Sequence, residues 1–106
     1  MVRFATLCLL LFYFQMGTAA AVSAPSEPAK LGACVGCHGK NGVAIIKSYP
    51  NLNGQNVEYL ELSLKAYQTG ARKNAQMQGV VGMLSAADIR ALAAYYAAQP
   101  AQQAQP

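Results

Sequence analysis

A chain of 106 residues, 54% hydrophobic and only 11% charged, allows one small domain and excludes intrinsic disorder, which needs low hydrophobicity and high charge. Its net charge of +4 comes without a basic run, which excludes nucleic acid as the expected partner. It holds three cysteines and a single histidine.

Met1-Val2-Arg3 is a short positive start, and Phe4 to Phe14 is almost wholly apolar. The small residues Gly17 to Ala21 follow. This three-part layout predicts a secretory signal peptide over residues 1–21, with cleavage as late as Ala24 the alternative. The apolar run is shorter than the ~20 residues of a membrane span, so the mature form is expected not to span a membrane. Cys8 leaves with the signal. About 85 residues and two cysteines remain, and the charge falls to +3 with the loss of Arg3. So small a domain often needs a staple or a cofactor to complete its core.

Residues 22–28 read as a linker, 29–99 as the domain and 100–106 as a flexible, Gln-rich tail. Ser26 is expected to cap a first helix that runs to about Cys37, with Pro28 in its first turn. Gly39 to Gly42 form a turn cluster, and Val43 to Asn53 reads as loop. Asn56 to Thr69 is a helix with Val57, Leu60, Leu64 and Tyr67 on one face, ended by Gly70. Ala71 to Leu84 contains Gly79 and Gly82 and is expected to be a long loop, a form that is often functional. Ser85 and Asp88 make a capping pattern for the last helix, whose apolar stripe is Ile89, Leu92, Ala93 and Tyr96 and which Pro100 stops. The pattern predicts an all-α fold of three or more short helices and long loops.

Cys34-Val35-Gly36-Cys37-His38 is the chemical core of the sequence. This spacing is that of covalent c-type haem attachment. Two cysteines three apart on a helical turn face one side and can form thioethers with the two vinyl groups of one porphyrin. The next residue, His38, can then coordinate iron from below. A thioredoxin-like motif would need βαβ surroundings, and a structural zinc site would need a fourth ligand. A disulfide between the two would close only a tiny loop and gain little entropy.

From about Ala29 to Gln99 the chain resembles the class I c-type cytochromes, in particular the small bacterial periplasmic single-haem kind that also forms each half of certain dihaem cytochromes. The likeness rests on Cys34-Val35-Gly36-Cys37-His38-Gly39, Tyr49-Pro50-Asn51-Leu52, Gly54-Gln55, Tyr59-Leu60, Gly70 with Arg72, Met77, Leu84-Ser85, Asp88-Ile89 and Ala94-Tyr95-Tyr96, in that order. It implies the cytochrome c-like fold wrapped around one covalent haem c with its iron. It implies that Cys34 and Cys37 carry the thioethers, that His38 and Met77 are the axial iron ligands, and that the Pro50 carbonyl accepts from the other ring nitrogen of His38. Met83 is expected to pack in the haem pocket or core, and Arg72 and Lys73 are candidates for a haem propionate. Tyr49, Tyr59 and Tyr67 are placed near the porphyrin, and Tyr95 and Tyr96 between the terminal helices. Val43 to Ile46 departs from the more polar pattern of relatives and reads either as a cover over the haem edge or as an exposed docking patch.

The function implied is periplasmic electron transfer between ferrous and ferric iron, with no enzymatic chemistry. Redox protein partners would dock weakly at the haem edge, and the c-type haem attachment machinery would act on the exported chain. Two alternatives stay open: an accessory haem subunit of a periplasmic oxidoreductase, and a haem-based gas sensor in which Met77 leaves the iron.

Overall fold

The structure is a computed structural model that describes residues 17–19 and 26–101. The signal-peptide reading, its cleavage sites and residues 102–106 of the tail therefore lie outside the described residues, apart from 17–19. Among the described residues there are four helices and no strand: α1 Gly32–His38, α2 Val57–Thr69, α3 Ala75–Val81 and α4 Ala86–Ala97. The fold is all-α.

α1 begins later than the linker suggests. Ser26 does not cap it. Leu31 N–H instead bonds to the Pro28 carbonyl at 3.1 Å and Ala33 N–H to that of Lys30 at 3.1 Å, a tight turn that leads into the helix. Leu31, at the N-cap, makes no side-chain cap bond and is held by burial.

α2 has the expected limits. The Asn56 side chain accepts from Tyr59 N–H at 3.0 Å, and Gly70 ends the helix in the left-handed conformation with φ 80°. α4 opens with a complete capping box. Asp88 N–H donates to Ser85 Oγ at 3.0 Å, and Ser85 N–H donates back to the Asp88 carboxylate at 2.9 Å. The Ser85 backbone N–H is the main cause that holds the Asp88 carboxyl below its ordinary range. The box is therefore fully formed above the usual carboxylate range and fades as pH falls through the lowered value.

The stretch expected to be an unstructured loop contains α3. Asn74 caps it by accepting from Met77 N–H at 3.0 Å. Met77, Val80, Val81 and Leu84 recur at i, i+3, i+4 and i+7, the spacing of one helix face. Val81 and Leu84 are buried, and Met77 packs against the core. Gly79 and Gly82, poor helix formers, mask this pattern in the sequence.

The buried core is drawn mainly from α4, with Leu31, Leu60, Val81 and Leu84 completing it. Two adjacent tyrosines of α4 reach the turn after α1. Tyr96 Oη donates to the Gly39 carbonyl at 3.0 Å, and Tyr95 Oη to the Lys40 carbonyl at 2.9 Å. Their rings meet edge to face at 5.3 Å. At the far end, Asn53 Nδ2 donates to the Pro100 carbonyl at 2.8 Å, and Ala101 lies against Gly54, so the chain stays packed one residue beyond Pro100.

Replacing Tyr96 by Phe keeps the ring but leaves the Gly39 carbonyl without this donor. The Gly39 carbonyl still accepts from Gly42 N–H at 3.2 Å, so the expected cost is that of one net hydrogen bond, about 0.5–1.5 kcal/mol, read by denaturant unfolding of the haem-loaded protein. Tyr95→Phe, with Tyr95 at the edge of the same clamp, is expected to cost less.

Candidate functional site

α1, α2, α3 and α4 together enclose a cavity of about 500 Å³. Cys34, Cys37 and His38 stand on its α1 wall, Leu60, Leu64 and Tyr67 on α2, Met77 and Val80 on α3, and Leu92, Ala93 and Tyr96 on α4. Tyr49, Pro50 and Leu52 come from the loop after α1. The volume lies within the range of small-molecule and cofactor pockets, and the wall is chiefly apolar.

His38 is the last residue of α1 and is only 7% exposed. Its Nδ1 lies 2.8 Å from the Pro50 carbonyl oxygen. A carbonyl can only accept, so Nδ1 carries the proton and the neutral ring keeps its lone pair on Nε2. That is the tautomer a metal ligand needs, and the carbonyl partner raises its basicity. The Tyr49 ring meets the imidazole edge-on at 6.3 Å.

The loop that carries Pro50 is closed on Gly42. The Gly42 carbonyl accepts from Leu52 N–H at 2.7 Å and from Asn53 N–H at 3.2 Å, and Ala44 N–H donates to Asn51 Oδ1 at 2.8 Å. Gly42 has φ +75°, and a Cβ there would sit 2.5 Å from the Asn53 nitrogen. Only glycine fits without displacing the loop backbone at Asn53, which follows Pro50.

Cys34 and Cys37 are free thiols, one half-buried and one exposed. Burial first, and then the neighbouring Cys37, push the Cys34 thiol above its ordinary value. Burial is likewise the main cause that pushes the Tyr96 phenol upward, so its hydroxyl stays protonated and remains a donor to Gly39. Among the described residues no cluster of three or more His, Cys, Asp or Glu could hold a metal ion. A lone imidazole, a thioether and two thiols around an apolar cavity fit an iron held in a porphyrin.

The structure thus brings Cys34, Cys37, His38, Pro50 and Met77 to one cavity. Tyr49, Tyr59, Tyr67 and Arg72 also line it, and the Arg72 guanidinium lies 4.9 Å from the centre of the Tyr67 ring. Lys73 does not line it. Met83 corrects the sequence reading: it is 68% exposed and lies outside both cavity and core. In the turn after α3 the neighbours Val81 and Leu84 point inward, which leaves Met83 outward. Val43, Ile45 and Ile46 also stand outside the cavity wall, and Ile45 is 79% exposed.

The family model for cytochrome c matches residues 29–98. The chain is 48% identical over 73 residues to cytochrome c-554(548) of Halomonas halodenitrificans, covering 66% of this chain and 88% of that protein. It is 40% identical over 79 residues to the thiosulfate dehydrogenase electron acceptor of Thiomonas intermedia, covering 74% of this chain and 36% of the relative. Reduced recombinant cytochrome c4 from Pseudomonas stutzeri superposes with a TM-score of 0.59 at 35% identity, covering 63% of this chain and 38% of that one. The chain therefore spans most of the first relative and little more than a third of the other two.

Gly42→Ala is expected to destabilise the loaded protein by at least about 1 kcal/mol, the cost of a side chain in the left-handed region. Amide hydrogen exchange should localise the loosening to residues 43–53. Gly79→Ala, where a Cβ meets nothing within 4 Å, is the contrasting control and should be neutral or stabilising.

Proposed function

The chain belongs to the cytochrome c family, with covalent haem c and its iron as cofactor and electron transfer as its function, and from that premise we propose how its own residues hold the cofactor and where it works. Cys34 and Cys37 form the two thioethers. His38 Nε2 and Met77 Sδ would hold the haem's iron. The observation that carries this reading is the His38–Pro50 hydrogen bond at 2.8 Å, which commits Nδ1 and leaves Nε2 as the nitrogen available to a metal, in a residue that lines the same cavity as Met77.

The bound haem supplies a one-electron ferrous–ferric couple. The protein residues set its conditions. Met77 raises the potential relative to harder donors. The apolar walls from α2 and α4 exclude water and disfavour the extra charge of the ferric state. With His38 from α1 and Met77 from α3 both holding the iron, the protein would carry electrons and perform no chemistry on a substrate. Arg72, on the cavity wall, is placed to neutralise a propionate.

Export through the N-terminal signal puts the carrier in the periplasm, where the haem attachment machinery acts. Among the described residues no helix is long and apolar enough to cross a membrane. Redox partners dock weakly near the exposed Cys37 edge. Similarity to a thiosulfate dehydrogenase electron acceptor favours a second reading, a redox subunit serving one periplasmic enzyme. Both readings use the same residues at the iron.

Acid–acetone extraction of denatured protein should leave the haem on the chain, and its release would contradict thioethers at Cys34 and Cys37. Met77→Ala should abolish the methionine-to-iron charge-transfer band of the ferric protein and lower the potential. Met83→Ala should leave both in place, and the reverse result would exchange the two methionines.

A further inference from the structure

α3 presents Met77 yet has only seven residues. Helices so short do not persist alone in water. The Asn74 cap secures its start, and the Val81 side chain, with 0% exposure, anchors its end in the core. A tight turn closes that end, with Met83 N–H donating to the Val80 carbonyl at 3.4 Å and Leu84 N–H to the Val81 carbonyl at 3.1 Å, but both bonds are local to the turn and neither ties it to another helix.

One side chain ties both ends of this turn to α2. Gln68, in the last turn of α2, donates from Nε2 to the Val81 carbonyl at 2.9 Å and to the Leu84 carbonyl at 2.8 Å. An amide NH₂ has two hydrogens, so both are committed. The contacts span 13 and 16 residues of sequence and bracket the whole turn between α3 and α4. Gln68 does not line the cavity. Whatever it does for the site it does through α3.

We propose that Gln68 is a positioning residue for Met77: its two hydrogen bonds fasten the end of α3 to α2 and so govern how readily Met77 leaves the iron. The proposal rests on Met77 as the axial ligand. Removing the donors frees the end of α3 while the Asn74 cap and the α1 wall with His38 stay as they are. The open form of the site then gains population.

The test is imidazole titration of the ferric haem-loaded protein, followed by the shift of the haem's main visible absorption band in every variant, with loss of the methionine-to-iron band as a second readout where Met77 is present. Imidazole enters only when Met77 is away, so its apparent affinity scales with the open fraction. Gln68→Glu keeps the shape but sets a carboxylate oxygen where Nε2 stood, against both carbonyls. Gln68→Met removes the donors without adding charge. Both should tighten imidazole binding about tenfold, the effect of losing one to two net hydrogen bonds. Gln68→Lys, which restores N–H donors, should move the affinity back toward that of the unaltered protein. In a Met77→Ala background, Gln68→Met should leave imidazole affinity unchanged. Equal affinity of Gln68→Met and the unaltered protein would overturn the proposal. So would the same tightening in the Met77→Ala background, because the effect would then not pass through Met77. If Met77→Ala alone keeps the band, the ligand assignment itself fails, a result distinct from either.

Discussion

The hydrogen bond from His38 Nδ1 to the Pro50 carbonyl joins residues twelve apart, and the geometry of the site follows from it. It can form only if the intervening loop returns to α1 with its carbonyl aimed at the ring. Gly42 makes that return possible by accepting two N–H groups from the far side of the loop in a backbone conformation that suits glycine. Tyr96 and Tyr95 fix the next two carbonyls after His38 from the opposite element, α4. The imidazole is therefore held through its own ring nitrogen and through the backbone that follows it. A ligand held this way changes position little between oxidation states, which is what fast electron exchange requires.

The second dependence is between core and cofactor. Leu60, Leu92, Ala93 and Tyr96 are core residues and cavity walls at once. Two of the four helices have seven residues each, and the helix ends are fastened by Asn56, Asn74, Ser85 and Gly70. Small domains bury a limited share of their surface. On the ligation proposed, the haem would fill the space that a larger domain fills with side chains. Folding, cofactor and function share one set of contacts.

The parts of this arrangement that are local in sequence were legible there. Cys34, Cys37 and His38 announce their chemistry by spacing alone, and the Ser85–Asp88 box and the Asn56 to Gly70 helix obey short-range capping rules. What depended on tertiary contact was not. The start of α1 is set by a turn from Pro28 and by burial of Leu31, and Ser26 lacks both. α3 shows the helical spacing of Met77, Val80, Val81 and Leu84, but two glycines hide it, and its stability comes from Asn74 and from Gln68 on another helix. Met83 and Leu84 are adjacent apolar residues, and only the direction of one turn decides which is buried. Gln68 shows no sequence signal, since its partners are backbone carbonyls on a separate element.

The central claim is that one haem, with His38 and Met77 on its iron, makes this chain a one-electron carrier. A potentiometric titration of the haem-loaded protein, followed through its visible spectrum, tests it most directly. The account predicts a single one-electron step in which the methionine-to-iron band of the ferric form disappears in proportion to reduction. A ferric spectrum without that band, or reduction in more than one step, would contradict it.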